Sequence, residues 1–259
     1  MTDTDAPHIQ VTGLTMAYGP TVIQRDLTFS VGRGEIFVIM GGSGCGKSTL
    51  LRHLVGLQQP VAGRVIHDGT DFWGADEAVR STIMRRFGIL YQSSALWSSM
   101  TLAENVALPI EEYTDLSRKT IAEVVSLKLA LVGLAGFESH YPSQISGGMR
   151  KRAGLARAIA LDPKILFFDE PSAGLDPVSS RRLDDLILAI NTSLGTTVVM
   201  VTHELPSIFG IGSNAIFLDP EAKTMIAQGP PRKLLAECSD DRVRHFLTRG
   251  GGEMPTHQP

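Results

Sequence analysis

The chain has 259 residues, 43% hydrophobic and 20% charged, and 24 basic against 27 acidic side chains leave a net charge of −3. This is ordinary globular composition, sufficient for one large domain or a domain with a subdomain, and it gives no electrostatic reason to expect a nucleic-acid partner. No apolar run nears the roughly 18 residues that span a bilayer, so any role at a membrane is expected to come through a partner.

Met1-Thr2-Asp3-Thr4-Asp5 is acidic and polar and does not read as a signal peptide. Ile9–Val11 and segments within Val22–Val31 read as short strands, parted by the turn-prone Tyr18-Gly19-Pro20. Glu35–Met40 is a nearly continuous apolar run, the pattern of a buried strand. Lys47–Gly56 reads as a helix, and Gly63–Asp68 and Phe87–Tyr91 as strands. From Thr101 the pattern turns helical. Thr101 with Glu104 makes a capping box, and Ile121, Val124, Val125, Leu127 and Leu131 recur at helical spacing. After Leu161 come an apolar run at Ile165–Phe168, a helix over Val178–Ile190 and a β-branched run at Thr196–Val201. That order suggests a βαβ crossover and a parallel sheet. Ala215–Leu218 and Thr224–Ala227 look like a hairpin, and Pro231–Glu237 and Asp241–Leu247 like terminal helices. Gly250–Pro259 reads as a disordered tail. Cys45 and Cys238 form no disulfide framework, which fits a reducing compartment.

Three stretches carry chemistry. Gly41-Gly42-Ser43-Gly44-Cys45-Gly46-Lys47-Ser48 fits G-x-x-x-x-G-K-[ST] at each fixed position, between a predicted strand and a predicted helix. In such a loop the backbone N–H groups surround a phosphate, Lys47 lies on the outer phosphates and Ser48 offers a hydroxyl to Mg²⁺. Cys45 reads as a small loop residue, with nothing to activate it as a nucleophile. Next, Asp169-Glu170 closes an apolar strand, so successive acids diverge: Asp169 toward Mg²⁺, Glu170 toward an attacking water. His203, just past a β-branched run, is placed to reach the terminal phosphate beside Glu170. Finally, Ser146-Gly147-Gly148 opens a helix and leaves N–H groups free for an anion. The chain already has a phosphate loop, so this second anion site is expected to serve an ATP held by a second copy.

Together these residues resemble the nucleotide-binding subunit of ABC transporters over nearly the whole chain, with the family's motifs in order. Tyr18 matches the aromatic that stacks on adenine, and Gly41, Gly42, Ser43, Gly44, Cys45, Gly46, Lys47, Ser48 and Thr49 match Walker A. Gln92 matches the Q-loop glutamine, and Ser146, Gly147 and Gly148 match the signature. Asp169 and Glu170 match Walker B and its catalytic glutamate, Ala173–Asp176 the D-loop and His203 the switch histidine. The resemblance implies an α/β fold with a RecA-like parallel-sheet core, an antiparallel β subdomain and a helical subdomain over about 93–160, all within one ATPase domain at 1–249. It implies ATP and Mg²⁺ as ligands, with Lys47, Gln92, Glu170 and His203 catalytic and Ser48, Gln92 and Asp169 at the metal. Two copies would meet head to tail around two ATP. The signature departs at Met149, where the family usually has glutamine, and methionine cannot make the glutamine's hydrogen bonds.

Met149 followed by Arg150-Lys151-Arg152, with Leu90–Met100 and His203–Phe209, resembles the ATPases of Mce-type lipid transporters, the Mla and toluene-tolerance group. That narrower resemblance implies phospholipid or related cargo crossing a Gram-negative envelope. It also implies a subunit on the cytoplasmic face of the inner membrane and a periplasmic Mce-type subunit in the same complex. Ala95, Leu96, Trp97 and Met100 are apolar for a surface stretch, and Gln92–Met100 is expected to help form a groove for a helix of the membrane permease. The rival readings are an ATPase feeding another permease, whether solute importer or lipoprotein-release machine, and a soluble ABC ATPase of translation or repair. The chain lacks the tandem domains or long insertions typical of that last class.

Overall fold

The computed structural model describes residues 6–249, so the expectations for Met1–Asp5 and for the 250–259 tail fall outside the described residues. The N-terminal strands β1 (Ile9–Tyr18) and β2 (Thr21–Val31) are longer than the sequence suggests, and β2 is one strand rather than several. Its irregularity at Asp26, φ 53°, breaks the alternation without ending the pairing with β1. Strand β3 (Ile36–Gly41) leads to α1 (Lys47–Leu54). Then come β4 (Ala62–His67), β5 (Thr70–Asp71), α2 (Glu77–Met84) and β6 (Phe87–Leu90). The middle of the chain is helical: α3 (Leu102–Tyr113), α4 (Arg118–Leu131) and α5 (Gly147–Ala158). Thr101 and Glu104 do form a capping box, each side chain bonding the other's backbone N–H. The closing part runs β7 (Ile165–Asp169), α6 (Pro177–Leu194), β8 (Thr197–Val201), α7 (Leu205–Ile211), β9 (Asn214–Asp219), β10 (Thr224–Gly229), α8 (Pro231–Glu237) and α9 (Asp241–Thr248).

Two sheets result, the α/β arrangement expected. An antiparallel sheet has the order β2-β1-β4-β5, and a larger one the order β10-β9-β3-β8-β7-β6. In the larger sheet β9, β3, β8, β7 and β6 are parallel and only β10 is antiparallel. The predicted hairpin exists as β9–β10, but β9 also lies beside β3 inside the sheet, which is why nearly all of it is buried.

Both faces of the parallel strands are covered, so alternate residues feed two cores. Phe37, Ile39, Phe167, Val199 and Leu218 pack with α1 and the antiparallel sheet. Val38, Met40, Leu166, Phe168 and Met200 pack with the helices on the opposite face. The strands' C-terminal ends are in register: Val201 pairs with Ile39 on one side and with Asp169 on the other. Whatever follows β3, β7 and β8 therefore gathers at one edge, the usual ligand crevice of an open α/β sheet.

Candidate active site

The loop after β3 is fixed by sterics. Gly41 has φ 146°, and a Cβ there would lie 2.4 Å from the Leu218 carbonyl oxygen on β9. Gly46 has φ 100° at the start of α1, and no side chain caps that helix. The first-turn N–H groups of α1 thus have no intrahelical acceptor, and the helix dipole favours an anion in front of them. Lys47 Nζ lies over the same loop and donates to the carbonyls of Gly41 and Gly42, each at 2.9 Å. The Cys45 side chain turns away into the core at 1% exposure, and burial pushes its thiol pKa up. Its sulfur packs under the loop, 3.9 Å from Lys47 Nζ and against Gly41. Beneath it Gln24 Nε2 donates to the carbonyls of Cys45, at 2.8 Å, and Asp219, at 3.0 Å.

The other crevice residues converge on this loop. Ser48 Oγ donates to Asp169 Oδ1 at 2.8 Å, joining the two predicted metal-side groups. Glu170, one residue past β7, has φ 49°, while its N–H bonds Val201 at 2.9 Å. This left-handed turn sends Glu170 toward β8, where Oε1 meets His203 Nδ1 at 2.9 Å. Glu170 Oε2 is buried and has no partner within the described residues. Tyr18 is tied to α1 through its hydroxyl, 3.4 Å from Thr49 Oγ1 and 3.3 Å from Gln58 Oε1. Those bonds, Thr49's first, lower its pKa, and the ring stays 47% exposed beside the loop.

Other predicted residues stand apart. Gln92 is exposed, and no hydrogen bond of its side chain reaches Ser48 or Asp169 among the described residues; its carbonyl accepts from Lys151 Nζ. Ser146 caps α5 by accepting from the Met149 N–H at 3.2 Å. No hydrogen bond among the described residues joins Ser146–Gly148 to the phosphate loop. A Cβ at Gly147 would meet nothing of its own chain nearer than Arg150 at 3.8 Å. The chain's own packing therefore does not demand a glycine there. Met149 is partly buried and packs against the helical core, so it serves packing at the position where a polar glutamine is usual.

In the Gln92–Met100 stretch, Leu96 packs partly against the core and Trp97 is 58% exposed. Asn105, fully buried, accepts from the Trp97 N–H and donates to the carbonyls of Trp97, Met100 and Thr101. The loop is thus rigid beneath an exposed indole. A cleft of ≈ 500 Å³ lies close by, lined by Phe72, Trp73, Met84, Arg85, Pro109 and Tyr113. It continues into one of ≈ 440 Å³ that reaches Arg157, whose guanidinium bonds the Ala95 carbonyl. The apolar stretch borders this cleft through Arg157 rather than lining it. Gln24, Asn105 and Lys151 escape sequence reasoning, because each acts through a tertiary contact that no local pattern announces.

The residues present fit a nucleotide with Mg²⁺. The uncapped start of α1, the orphaned Glu170 Oε2 and the paired Ser48 and Asp169 each supply what such a ligand needs. Mg²⁺ takes few protein ligands and keeps waters and phosphate oxygens for the rest.

The ABC transporter family profile matches residues 24–173. The probable ribonucleotide transport ATP-binding protein mkl of Mycobacterium tuberculosis H37Rv is 42% identical over 239 residues, 92% of this chain but 66% of that longer protein. The intermembrane phospholipid transport system ATP-binding protein MlaF of Escherichia coli K12 is 38% identical over 252 residues, 97% of this chain and 93% of that one. A dimeric post-hydrolysis structure of the ATP-binding cassette MJ0796, bound to ADP and Pi, superposes with TM-score 0.76 at 28% identity, covering 86% of this chain and 98% of that one.

Proposed function

Because this chain belongs to the ABC transporter family, we propose that it is the ATP-hydrolysing subunit of a phospholipid transporter and works as a pair of copies around two ATP. The observation that carries the hydrolytic part is the acid pair at the end of β7: Asp169 bound to Ser48, and Glu170 with one oxygen on His203 and the other unpartnered among the described residues. Lys47 and the α1 N–H groups hold the phosphates, and Tyr18 lies against the base. When bound, Mg²⁺ would offset the phosphate charge; Ser48 and Asp169, already in contact, would hold it, and Gln92, which stands apart from them here, would join them. Glu170 Oε2 accepts the proton of the attacking water, while His203 fixes Oε1 and faces the terminal phosphate. Ser146, Gly147 and Gly148 of the partner copy add donors to the charge that develops there. In this reading residues 1–249 act as one ATPase unit, with a helical subdomain over about 93–160.

Phospholipid cargo is favoured by the MlaF relative, which this chain matches over 97% of its own length and 93% of MlaF's. Ribonucleotide transport is the second reading, supported by the 42% identity to mkl. No helix among the described residues is long and apolar enough to cross a membrane. We place the chain on the cytoplasmic face of the inner membrane, where a permease helix docks at exposed Trp97 and the cleft that Arg157 borders. A periplasmic Mce-type subunit completes the complex. Purification of the intact complex and mass spectrometry of its subunits and cargo tests this reading. Bound phospholipid and a Mce-type subunit support it, and a soluble solute-binding protein overturns it.

A further inference from the structure

Three non-glycine residues near the acid pair lie in the left-handed region: Glu170 at φ 49°, Ser94 at 65° and Ala95 at 48°. Such conformations cost on the order of 1 kcal/mol or more each and persist only where surrounding contacts enforce them. Besides the Val201 and Tyr91 carbonyls that accept from the Glu170 and Ser94 N–H groups, contacts to all three come from one helix. On α5, Arg157 donates to the carbonyls of Ala95, at 2.6 Å, and Ser94, at 3.1 Å. Six residues earlier, Lys151 Nζ donates to the carbonyl of Gln92 and, at 3.5 Å, to that of Glu170.

Lys151 sits in the basic run Arg150-Lys151-Arg152, which reads as a solvated face. It is instead 6% exposed. Its neighbours in the run have other tasks: Arg150 bonds the Ile145 carbonyl, and Arg152 the carbonyls of Val132 and Gly133. Lysines are almost never fully buried without a paired charge. Burial opposes this ammonium and lowers its pKa, and the nearby Glu170 and Asp169 charges offset that only in part. For packing alone, an apolar chain of similar length would serve.

We propose that Lys151 is a positioning residue of the hydrolysis site, a tie that fixes the Glu170 backbone to the Gln92 loop so that movement of the loop moves the base. This rests on the hydrolytic reading above. Lys151 touches no phosphate and acts only through the two carbonyls it bridges.

The test compares Lys151→Met, which keeps the stem and removes the donors, with Lys151→Arg, which keeps donors and charge. In ATP turnover by the full chain, Lys151→Met lowers kcat by about tenfold or more, leaves the Kd for ATP within about twofold, and Lys151→Arg recovers to within about threefold of the parent. Without nucleotide, amide hydrogen exchange across residues 92–96 speeds up in Lys151→Met and not in Lys151→Arg. If Lys151→Met does not fold, Lys151→Gln carries the same comparison, with one amide donor and an intermediate kcat. Parent-like kcat or parent-like exchange in the donor-less variant overturns the proposal, as does an equal loss in Kd and kcat. A parent protein that does not hydrolyse ATP refutes the hydrolytic reading instead, while the exchange measurement still reads the tie.

Discussion

Asp184 is the sharpest probe of how the switch region is supported. It sits on α6 at 4% exposure; one oxygen accepts from Ser207 Oγ of α7 at 2.8 Å, and the other is buried without a partner among the described residues. Helix α6 follows the Ala173–Asp176 turn and α7 follows His203, so this contact locks together two segments that border the site. Burial, with a smaller push from Asp185, raises the Asp184 pKa to about 6 against Ser207 and Arg181, which pull it down. The folded chain therefore holds a proton that the unfolded chain has released between about pH 4 and 6, and stability falls as pH rises through that window. Above pH 6 the buried charge costs about 3 kcal/mol, from a shift of about two units at 1.36 kcal/mol each.

Asp184→Asn removes that charge. Relative to the parent, the variant is expected to gain about 1–3 kcal/mol near pH 7.5 and about nothing near pH 4.5. Urea unfolding of both proteins across this range measures the difference. The parent's own profile hides the effect, because burial lowers the pKa of His67 to about 4. That histidine has the opposite sign: its contribution is present above about pH 6.5 and is lost as pH falls toward 4. Only the variant-minus-parent difference isolates Asp184. A difference that is the same at every pH refutes the reasoning.

Lys47→Ala removes an ammonium that makes charge-assisted bonds to phosphate, and calorimetry should show ATP binding roughly 100-fold weaker. Gly41→Ala forces a Cβ to within 2.4 Å of the Leu218 carbonyl, so denaturant unfolding should show a loss of about 2–4 kcal/mol together with weaker ATP binding. Trp97→Asp places a charge on the exposed indole position while the Asn105 bonds beneath it remain. It should abolish copurification with the permease and leave the ATP Kd within about twofold. Undiminished copurification removes the docking surface from this loop.

Period and turn chemistry made much of the fold legible. The buried strands β3, β7 and β8 were readable because continuous apolar runs ended in turn signals, and the Thr101–Glu104 cap because its spacing is local. Helix α2 was not, since Ile83 is its only buried residue and a polar surface helix carries no apolar stripe. Helix α7 was missed because its seven residues, with Pro206 in its first turn and Gly210 inside it, look like loop. The phosphate loop, Asp169-Glu170 and His203 came from the sequence alone, and Ser48–Asp169 and Glu170–His203 lie in contact. Gln24 was hidden for a specific reason. Leu27, Phe29 and Val31 point inward by alternation, but the irregularity at Asp26 shifts the phase and brings Gln24 under the loop. Lys151 was hidden by its neighbours, because a basic run reads as solvent-facing until the fold turns its middle member inward.

A shared site in a head-to-tail pair is tested most directly by sedimentation of Glu170→Gln with Mg-ATP. Loss of the base with the phosphate contacts kept should trap two chains holding two ATP, and adding Ser146→Arg should return ATP-bound monomers. A Glu170→Gln chain that binds ATP yet stays monomeric, or that hydrolyses ATP at the parent rate, contradicts the shared site and its catalytic base.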